Sequence, residues 1–304
     1  MLRHLLLTRH LTHFQTACYS LLAYLLYSLT DVSVKWLMSE GYDKSIMLVA
    51  SCIPATIVLM YFLIKRHGIK KCLYTPYKKL QFTRGLSLIA ITYFGLEALQ
   101  HLPLTDFYGV IFSTPLIVTI GAFFIFKERV SFVEWAVIAV GFCGILIIAQ
   151  PDYANFNIGF IYAFGAVLGV ASAGLIVRKI GSDESPFLYI IFGNIAIFVA
   201  NIAPALSTPL PAITFVHLLI LSIYCILIPI AVITMSAVYS RAPSVAAIAP
   251  FHYSQIIWGA ILGYLIFGDI PQLNTLIGSA IVIGCGLYIV LHHKRKRVAV
   301  KLSE

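Results

Sequence analysis

The 304-residue sequence has few charged side chains, and acidic ones are the scarcest. Only 11% of its residues are charged, and 12 of them are Asp or Glu, whereas soluble globular chains carry about 25% charged residues. Low charge together with 60% hydrophobic residues and a mean hydropathy of +0.94 excludes a soluble domain and a disordered chain. This composition is typical of an integral membrane protein.

The sequence also lacks the common signatures of catalysis and of cofactor binding. It contains no Gly-x-Ser-x-Gly, no His-Glu-x-x-His and no phosphate-binding loop, so hydrolytic chemistry and direct use of ATP are not expected. Its six cysteines include no Cys-x-x-Cys pair, and we interpret them as small buried residues. We therefore expect no enzyme, no metal site and no cofactor.

Apolar segments are long and frequent enough for ten transmembrane helices, because about 20 apolar residues span a bilayer. The candidate spans are residues 14–36, 45–64, 82–99, 105–126, 131–149, 157–177, 187–205, 213–236, 243–267 and 272–292. They are apolar on every side rather than alternating, which argues against a β-barrel. The predicted fold class is an all-α polytopic membrane protein.

The distribution of Lys and Arg predicts the orientation, because cytoplasmic loops retain positive charge. With the N-terminus inside, all 21 basic residues except Lys35 and Lys44 fall on the cytoplasmic side. We expect a multi-pass protein of the bacterial inner membrane with both termini in the cytoplasm. The basic loop and tail then face the lipid bilayer surface. Nucleic-acid binding is not expected, because these charges lack the aromatic residues and fold of a binding face.

An internal repeat divides the chain. The segment that begins at Leu102-Pro103 is similar to one that begins at Ala242-Pro243. The separation between these two segments nearly equals the separation between Phe126 and Phe267, which end the spans that follow. The offset is close to half the chain, which predicts two five-helix repeats, residues 14–149 and 157–292, followed by a basic cytoplasmic tail at 293–304. Five is an odd number, so the second repeat crosses the membrane in the opposite sense and the repeats are inverted. Inverted repeats are an architecture of secondary transporters.

Several motifs carry a family resemblance. They are Ala98-Leu99, Pro103, Pro115, Phe126-Lys127-Glu128, Tyr239-Ser240-Arg241-Ala242-Pro243, Pro250-Phe251-His252-Tyr253, Trp258-Gly259 and Phe267-Gly268-Asp269. Over nearly the whole chain they resemble the EamA type of the drug/metabolite transporter superfamily. The resemblance implies ten helices in two inverted repeats and alternating access to a central cavity. Its members move amino acids, nucleotide sugars, S-adenosylmethionine, flavins and other metabolites. The acidic residue that follows the fourth and ninth spans in the family is matched by Glu128, with Asp269 as a shorter variant.

Polar and aromatic side chains inside the spans indicate a cavity, because they are costly in lipid. They recur at helical spacing on single faces of four spans. The predicted substrate-binding residues are Tyr24, Tyr93, Glu97, Tyr162, Phe251, His252, Gln255 and Trp258. Glu97 has no evident partner in its own helix except His101. Candidates for coupling or gating are Asp31, Lys35, Glu97 and Pro250.

Purely structural interpretations of the same residues stay open. Asp31 and Lys35 are four residues apart, so they are expected to neutralise each other, and the pair also fits a purely structural role. His252 fits a buried hydrogen-bonding residue as well as a cavity lining. Gly165-xxx-Gly169 and Gly259-xxx-Gly263 are expected to mark close helix packing, and Pro250 marks either a functional break or a packed kink.

The predicted function is secondary transport of a small organic metabolite, with uptake favoured over export. The aromatic residues would stack on a planar or cationic group, and Glu97 would bind a proton or a positive group. An exporter of amino acids or toxic compounds is the alternative within transport. A non-transporting membrane scaffold or lipid-handling protein is the alternative from another class. A channel is disfavoured, because no charged rings are present. The sequence leaves open the substrate, coupling to a proton or counter-solute, and whether the protein forms a homodimer.

Overall fold

The computed structural model describes residues 11–67, 74–127, 130–150, 156–180, 186–209, 213–241 and 249–303. Within these residues the chain forms twelve helices and no strand. They are α1 His13–Ser39, α2 Lys44–His67, α3 Lys78–His101, α4 Leu104–Ile111, α5 Thr114–Phe126, α6 Phe132–Ala149, α7 Gly159–Ile180, α8 Pro186–Ser207, α9 Phe215–Arg241, α10 Ala249–His252, α11 Ser254–Phe267 and α12 Leu273–Ser303. The predicted all-α fold class is confirmed.

Seven helical segments of the described chain are long and apolar enough to cross a membrane. They are α1, α2, α4 with α5 taken together, α6, α7, α8 and α9. Helix α3 has 24 residues, but it carries Lys78, Arg84 and Glu97 and is less apolar. Helix α11 and the apolar part of α12, Leu273–Ile289, are shorter. The protein is therefore a multi-pass membrane protein.

Two predicted spans differ from the structure because each is broken. The fourth span, 105–126, is interrupted at Phe112 and Ser113, and the ninth is interrupted at Tyr253. The start of the ninth span, residues 243–248, and Glu128 lie outside the described residues. Helix α12 continues to Ser303, through most of the segment predicted as a tail.

Proline positions explain part of this pattern. Pro115 lies in the first turn of α5, where its missing N–H is not needed for an intrahelical hydrogen bond. Pro250, the predicted gating proline, lies in the four-residue helix α10 next to the second break. Pro54 and Pro229 lie inside the continuous helices α2 and α9. Of these four prolines, only Pro115 and Pro250 therefore lie next to a break.

The two broken segments also end alike. Helix α5 ends at Lys127 with φ 54°, and α11 ends at Gly268 with φ 71°. A left-handed residue after the last turn closes a helix, and glycine adopts it without strain. The sequence repeat that aligns Phe126 with Phe267 also aligns these two helix ends.

The helices pack in matched pairs. Helix α3 packs on α7 as α9 packs on α1, and α5 packs on α7 as α11 packs on α1. Helix α2 packs on α8, α6 on α12 and α4 on α11. The main core is centred on buried residues of α1, α3 and α4, including Leu37, Leu99, Leu104, Tyr108 and Phe112.

Small residues allow the closest of these contacts, as the sequence predicted for Gly165, Gly169 and Gly259 but not for Gly263, whose added Cβ atom would meet only Asp269, at 3.7 Å. A Cβ atom added to Gly165 would lie 2.9 Å from the Phe94 ring, and one added to Gly169 would lie 3.1 Å from the Ser87 carbonyl oxygen. At Gly278 it would lie 2.5 Å from the Gly144 carbonyl oxygen. Backbone contact at these points brings α7 onto α3 and α12 onto α6.

Candidate functional site

Four aromatic side chains form a continuous buried cluster, which we call the central cluster: Tyr24, Tyr108, Phe112 and His252. The Tyr24 and His252 rings stack with centroids 4.9 Å apart, and Phe112 meets His252 edge-on at 5.0 Å. Phe112 also stacks on Tyr108 at 6.4 Å. The cluster joins α1, the broken segment α4–α5 and α10, so it lies where the two predicted halves of the chain meet.

Local structure explains why these rings converge. The helix ends at Phe112 and at His252 place both rings beside breaks of the backbone rather than along a continuous helix. Tyr24 lies on the buried face of α1, together with Ser20 and Ser28, which are both fully buried. Gly259 of α11 lets α4 approach, because a Cβ atom there would lie 2.6 Å from the Tyr108 ring.

A carboxylate lies at one edge of the central cluster. The Tyr108 hydroxyl donates a hydrogen bond to Asp31 Oδ2 at 2.8 Å, and Tyr108 is only 1% exposed. Asp31 is seven residues after Tyr24, which is about two helical turns and about 10.5 Å along α1. Residues at this spacing share a helix face, so the carboxylate and the Tyr24–His252 stack line the same side of α1.

Lys35 contacts a different carboxylate from the one expected. Its ammonium donates to the Leu102 carbonyl oxygen at 2.8 Å and lies 3.4 Å from Asp269 Oδ2. The predicted Asp31–Lys35 pair within α1 is therefore wrong. The ends of α4 and α11 bring Leu102 and Asp269 toward Lys35, and the ammonium joins them.

Further polar contacts join the predicted halves near Lys35. The Thr275 hydroxyl donates to Asp106 Oδ1 at 2.6 Å, and His217 Nε2 lies 3.8 Å from Glu40 Oε2. We call the end of the bundle that carries Lys35 and these contacts the Lys35 end. At this end, ion pairs and hydrogen bonds link α1 and α4 to α9, α11 and α12.

Glu97 pairs with Lys44, the first residue of α2, in a salt bridge. The Lys44 ammonium also lies over the Tyr93 ring, 4.3 Å from its centroid. Glu97 thus finds its ionic partner on another helix, where the sequence had offered only His101 within the same helix. His101 contacts the Glu97 carbonyl oxygen instead, through Nδ1 at 2.8 Å.

Tyr93, Glu97 and Tyr162 thus form a second group, separate in its described contacts from the central cluster. The Tyr162 ring lies 6.3 Å from Phe94 and 5.7 Å from His101. Tyr93 is 46% exposed, so part of this group faces outward. The structure therefore divides the residues predicted as one site between two places.

Of the other predicted residues, Phe251, Gln255 and Pro250 lie beside the central cluster. Phe251 packs against the buried group that contains Tyr24. Gln255 is 7% exposed and is a polar neighbour of His252. Trp258 has a buried Nε1 that finds no hydrogen-bond acceptor among the described residues. Pro250 is part of the same short helix as His252.

Sequence reasoning missed Tyr108 and Phe112. The repeat supplies a signal that could have found Phe112, because the offset that aligns Pro103 with Pro243 also aligns Phe112 with His252. Applying the repeat to the Phe251-His252-Tyr253 motif points to the break in the first half. No comparable pattern marks Tyr108, whose role depends on the approach of α4 to α1 and α11.

A separate, partly open cavity lies between α2, α8 and α9. Its lining is mostly apolar, with Ser51 and Asn194 as polar members. The Asn194 amide donates to Thr56 Oγ1 at 3.3 Å, and the Tyr224 hydroxyl donates to Ser51 Oγ at 3.4 Å. Because these groups are already hydrogen-bonded, the cavity offers few free polar atoms.

The described part of the chain holds no group of three or more His, Cys, Asp or Glu residues that could bind a metal ion. Its five cysteines are free thiols, and Cys72 lies outside the described residues.

Comparison with known proteins agrees with the resemblance predicted from the motifs. Residues 15–150 match the EamA-like transporter family. The chain is 26% identical to the S-adenosylmethionine uptake transporter of Rickettsia prowazekii (strain Madrid E) over 93% of this chain and 95% of that protein. It is 29% identical to the S-adenosylmethionine uptake transporter of Rickettsia bellii (strain RML369-C), over 79% of this chain and 81% of that one. It is 27% identical to the riboflavin transporter of Vibrio cholerae serotype O1, over 79% and 80%.

A solved crystal structure shares the fold. It matches with a TM-score of 0.62 at 16% identity, and the match covers 95% of this chain and 100% of the other. The curated relatives are named as transporters of small metabolites, several of them for uptake. These names confirm the class predicted from the sequence and indicate a transporter rather than an enzyme.

Proposed function

We propose that this chain, whose residues 15–150 match the EamA-like transporter family, is a secondary transporter that takes up a small organic metabolite by alternating access. The observation that carries the proposal is the central cluster. It is buried, it combines aromatic rings with a carboxylate, and its members come from both halves of the chain. A site between two halves is open to either side of the membrane when the halves rock.

The architecture we propose is ten spans in two inverted repeats, residues 14–149 and 157–292. Three features support it. The breaks at Phe112 and Tyr253 are separated by the same interval as the left-handed helix ends at Lys127 and Gly268. The helix pairs are also matched: exchanging each helix for its counterpart in the other half turns the α3–α7 contact into α9–α1 and leaves α6–α12 unchanged.

The orientation we propose puts both termini in the cytoplasm of a bacterial cell and the Lys35 end outside. Its support is the charge distribution, because Lys35 and Lys44 are the only basic residues assigned to that side. The contacts of the Lys35 end then form an outer seal between the halves. Opening this seal would admit substrate from outside.

The substrates we propose to test are S-adenosylmethionine and riboflavin, which the relatives are named for. Both contain a planar ring system that could stack on Tyr24 and His252. Purified protein in liposomes is expected to accumulate at least one of them above empty liposomes. Imposing a proton gradient in one arm and preloading solute in another separates proton coupling from exchange.

A matched pair of variants tests the site. Tyr24→Leu removes a ring of the central cluster, while Tyr264→Leu removes a ring of α11 that is 59% exposed. We expect a several-fold loss of uptake for the first and none for the second. No uptake of either compound by the unmodified protein would refute the proposal and favour a non-transporting role.

A further inference from the structure

Asp31 is a partly buried carboxylate, and Lys35, the lysine nearest to it along the helix, is engaged elsewhere. The Tyr108 hydroxyl is its hydrogen-bond partner. Lys35, one turn further along α1, donates to Leu102 and pairs with Asp269. Among the described residues, no lysine, arginine or histidine forms an ion pair with Asp31.

This arrangement leaves a negative charge to be compensated. A carboxylate buried away from water is strongly unfavourable unless a positive charge or several hydrogen bonds stabilise it. It can accept about four hydrogen bonds, and one neutral hydroxyl supplies a single one. The helix places a lysine within reach, yet the fold directs that lysine to the outer seal. Two things can compensate Asp31, a proton on the carboxyl itself or a cation that a ligand brings, because no described lysine or arginine pairs with it.

The surroundings of Asp31 indicate what kind of cation fits. Tyr108, Phe112, His252 and Tyr24 follow one another from the carboxylate across the helix interface. Aromatic faces attract cations and stack on planar rings. The Tyr24–His252 stack lies about 10.5 Å along α1 from Asp31. A molecule with a planar ring at one end and a positive charge at the other matches both ends of the cluster.

An unpartnered polar atom is also buried near the ring end. Ser20, one turn before Tyr24 on α1, has a hydroxyl with no hydrogen-bond partner in the described part of the chain. Buried polar groups are normally hydrogen-bonded. The Ser20 hydroxyl can supply a hydrogen bond to a heteroatom of a bound planar ring.

We propose that Asp31 is a specificity residue that receives the sulfonium charge of the substrate, so that this transporter selects ring compounds with a permanent positive charge over those without one. The inference rests on the proposed function and narrows it. Of the two compound classes named for the relatives, S-adenosylmethionine carries a permanent sulfonium charge and riboflavin carries none.

The test compares S-adenosylmethionine with its demethylated thioether analogue, which keeps the adenosine and amino-acid groups but lacks the sulfonium charge. Uptake and competition are measured in proteoliposomes. The unmodified protein is expected to bind S-adenosylmethionine at least tenfold more tightly than the thioether or riboflavin. Asp31→Asn is expected to weaken the binding of S-adenosylmethionine about tenfold. The binding of the thioether should be unchanged, because the amide can still accept the Tyr108 hydrogen bond.

Asp43→Asn is the matched control. It removes a carboxylate from the turn that follows α1, outside the contacts of the Lys35 end, and an amide oxygen can still accept the hydrogen bond that Asp43 Oδ1 accepts from the Ser45 backbone N–H, so the preference for the cation should be preserved. Equal weakening of both compounds by Asp31→Asn would overturn the inference, as would equal affinity of the unmodified protein for both. The second outcome does not depend on any variant folding.

These failures are distinguishable from failure of the proposed function. A protein that takes up the thioether or riboflavin as well as S-adenosylmethionine is a transporter without the proposed selectivity. A protein that takes up none of the three compounds overturns the proposed function and the selectivity together.

Discussion

Replacing Gly278 by alanine is expected to destabilise the protein, because there is no room for a methyl group between α12 and α6. The added Cβ would lie 2.5 Å from the Gly144 carbonyl oxygen and 2.6 Å from Ile148 Cγ1. Ordinary contact begins near 3.4 Å, so α6 must retreat by about 0.9 Å. Overpacking of this kind costs about 3 kcal/mol at the upper end of its range, because the contacted oxygen belongs to the backbone.

Helix propensity acts in the opposite direction. Alanine is favoured over glycine inside a helix by about 1 kcal/mol, so the net loss for Gly278→Ala is about 2 kcal/mol. Gly284 lies in the same helix and has no atom within 4 Å of its added Cβ. Gly284→Ala should therefore gain only the stabilisation of about 1 kcal/mol from the higher helix propensity of alanine. The free energies of unfolding of the two variants should then differ by about 3 kcal/mol.

The measurement is thermal stability in detergent, followed as the fraction of protein that remains monodisperse after heating. A difference of about 3 kcal/mol corresponds to about 6 °C between the midpoints for a chain of this size. Gly144→Ala should fall between the other two, because its nearest contacts are 3.0 Å. Equal midpoints for Gly278→Ala and Gly284→Ala would refute the close packing of α6 on α12.

Three further predictions concern the two groups of site residues and the outer seal. Asp269→Asn should speed amide hydrogen exchange in the first turn of α4 and the last turn of α11, because it removes the ion pair with Lys35; unchanged exchange would contradict the seal. Glu97→Gln should lower stability by about 1 kcal/mol by leaving Lys44 unpaired, with no change in KM for uptake, and a several-fold rise in KM would return Glu97 to the binding site. Tyr24→Leu should raise KM about fivefold through loss of a stacked pair worth about 1 kcal/mol, while Tyr24→Phe should not. Equal KM values for the two variants would show that the aromatic ring of Tyr24 does not contribute to binding.

The fold was largely predictable from the sequence, because the length of an apolar run determines whether a helix can cross a bilayer. A break near Tyr253 was one of the two interpretations of Pro250, whereas the break at Phe112 was not predicted. Both residues are aromatic, so a hydropathy pattern continues across them. Only the proline that follows the first break and the one that precedes the second indicated a departure from regular helices.

The candidate site was predictable in part. Helical periodicity correctly placed Tyr24 on a buried face and His252 within a motif of the second half. It could not predict which helices become neighbours, so it grouped Tyr93 and Glu97 with residues that contact other helices. Partners such as Lys44 for Glu97, and Asp269 for Lys35, are separated by 53 and 234 residues. Such pairs follow from tertiary packing, which local spacing does not contain.

The seal that we propose at the Lys35 end has a consequence for the rate of transport. In a cycle of alternating access its contacts would break and form again once for each molecule carried, so the closed and open populations would depend on their summed strength. Reversing a two-state population from 1:99 to 99:1 requires a difference of about 5.5 kcal/mol in binding free energy. A stronger seal would make the substrate supply more of that difference, whereas a weaker one would let the halves open without cargo. The few partly exposed contacts that join Lys35, Asp106 and Glu40 to the second half are thus expected to balance turnover against leak.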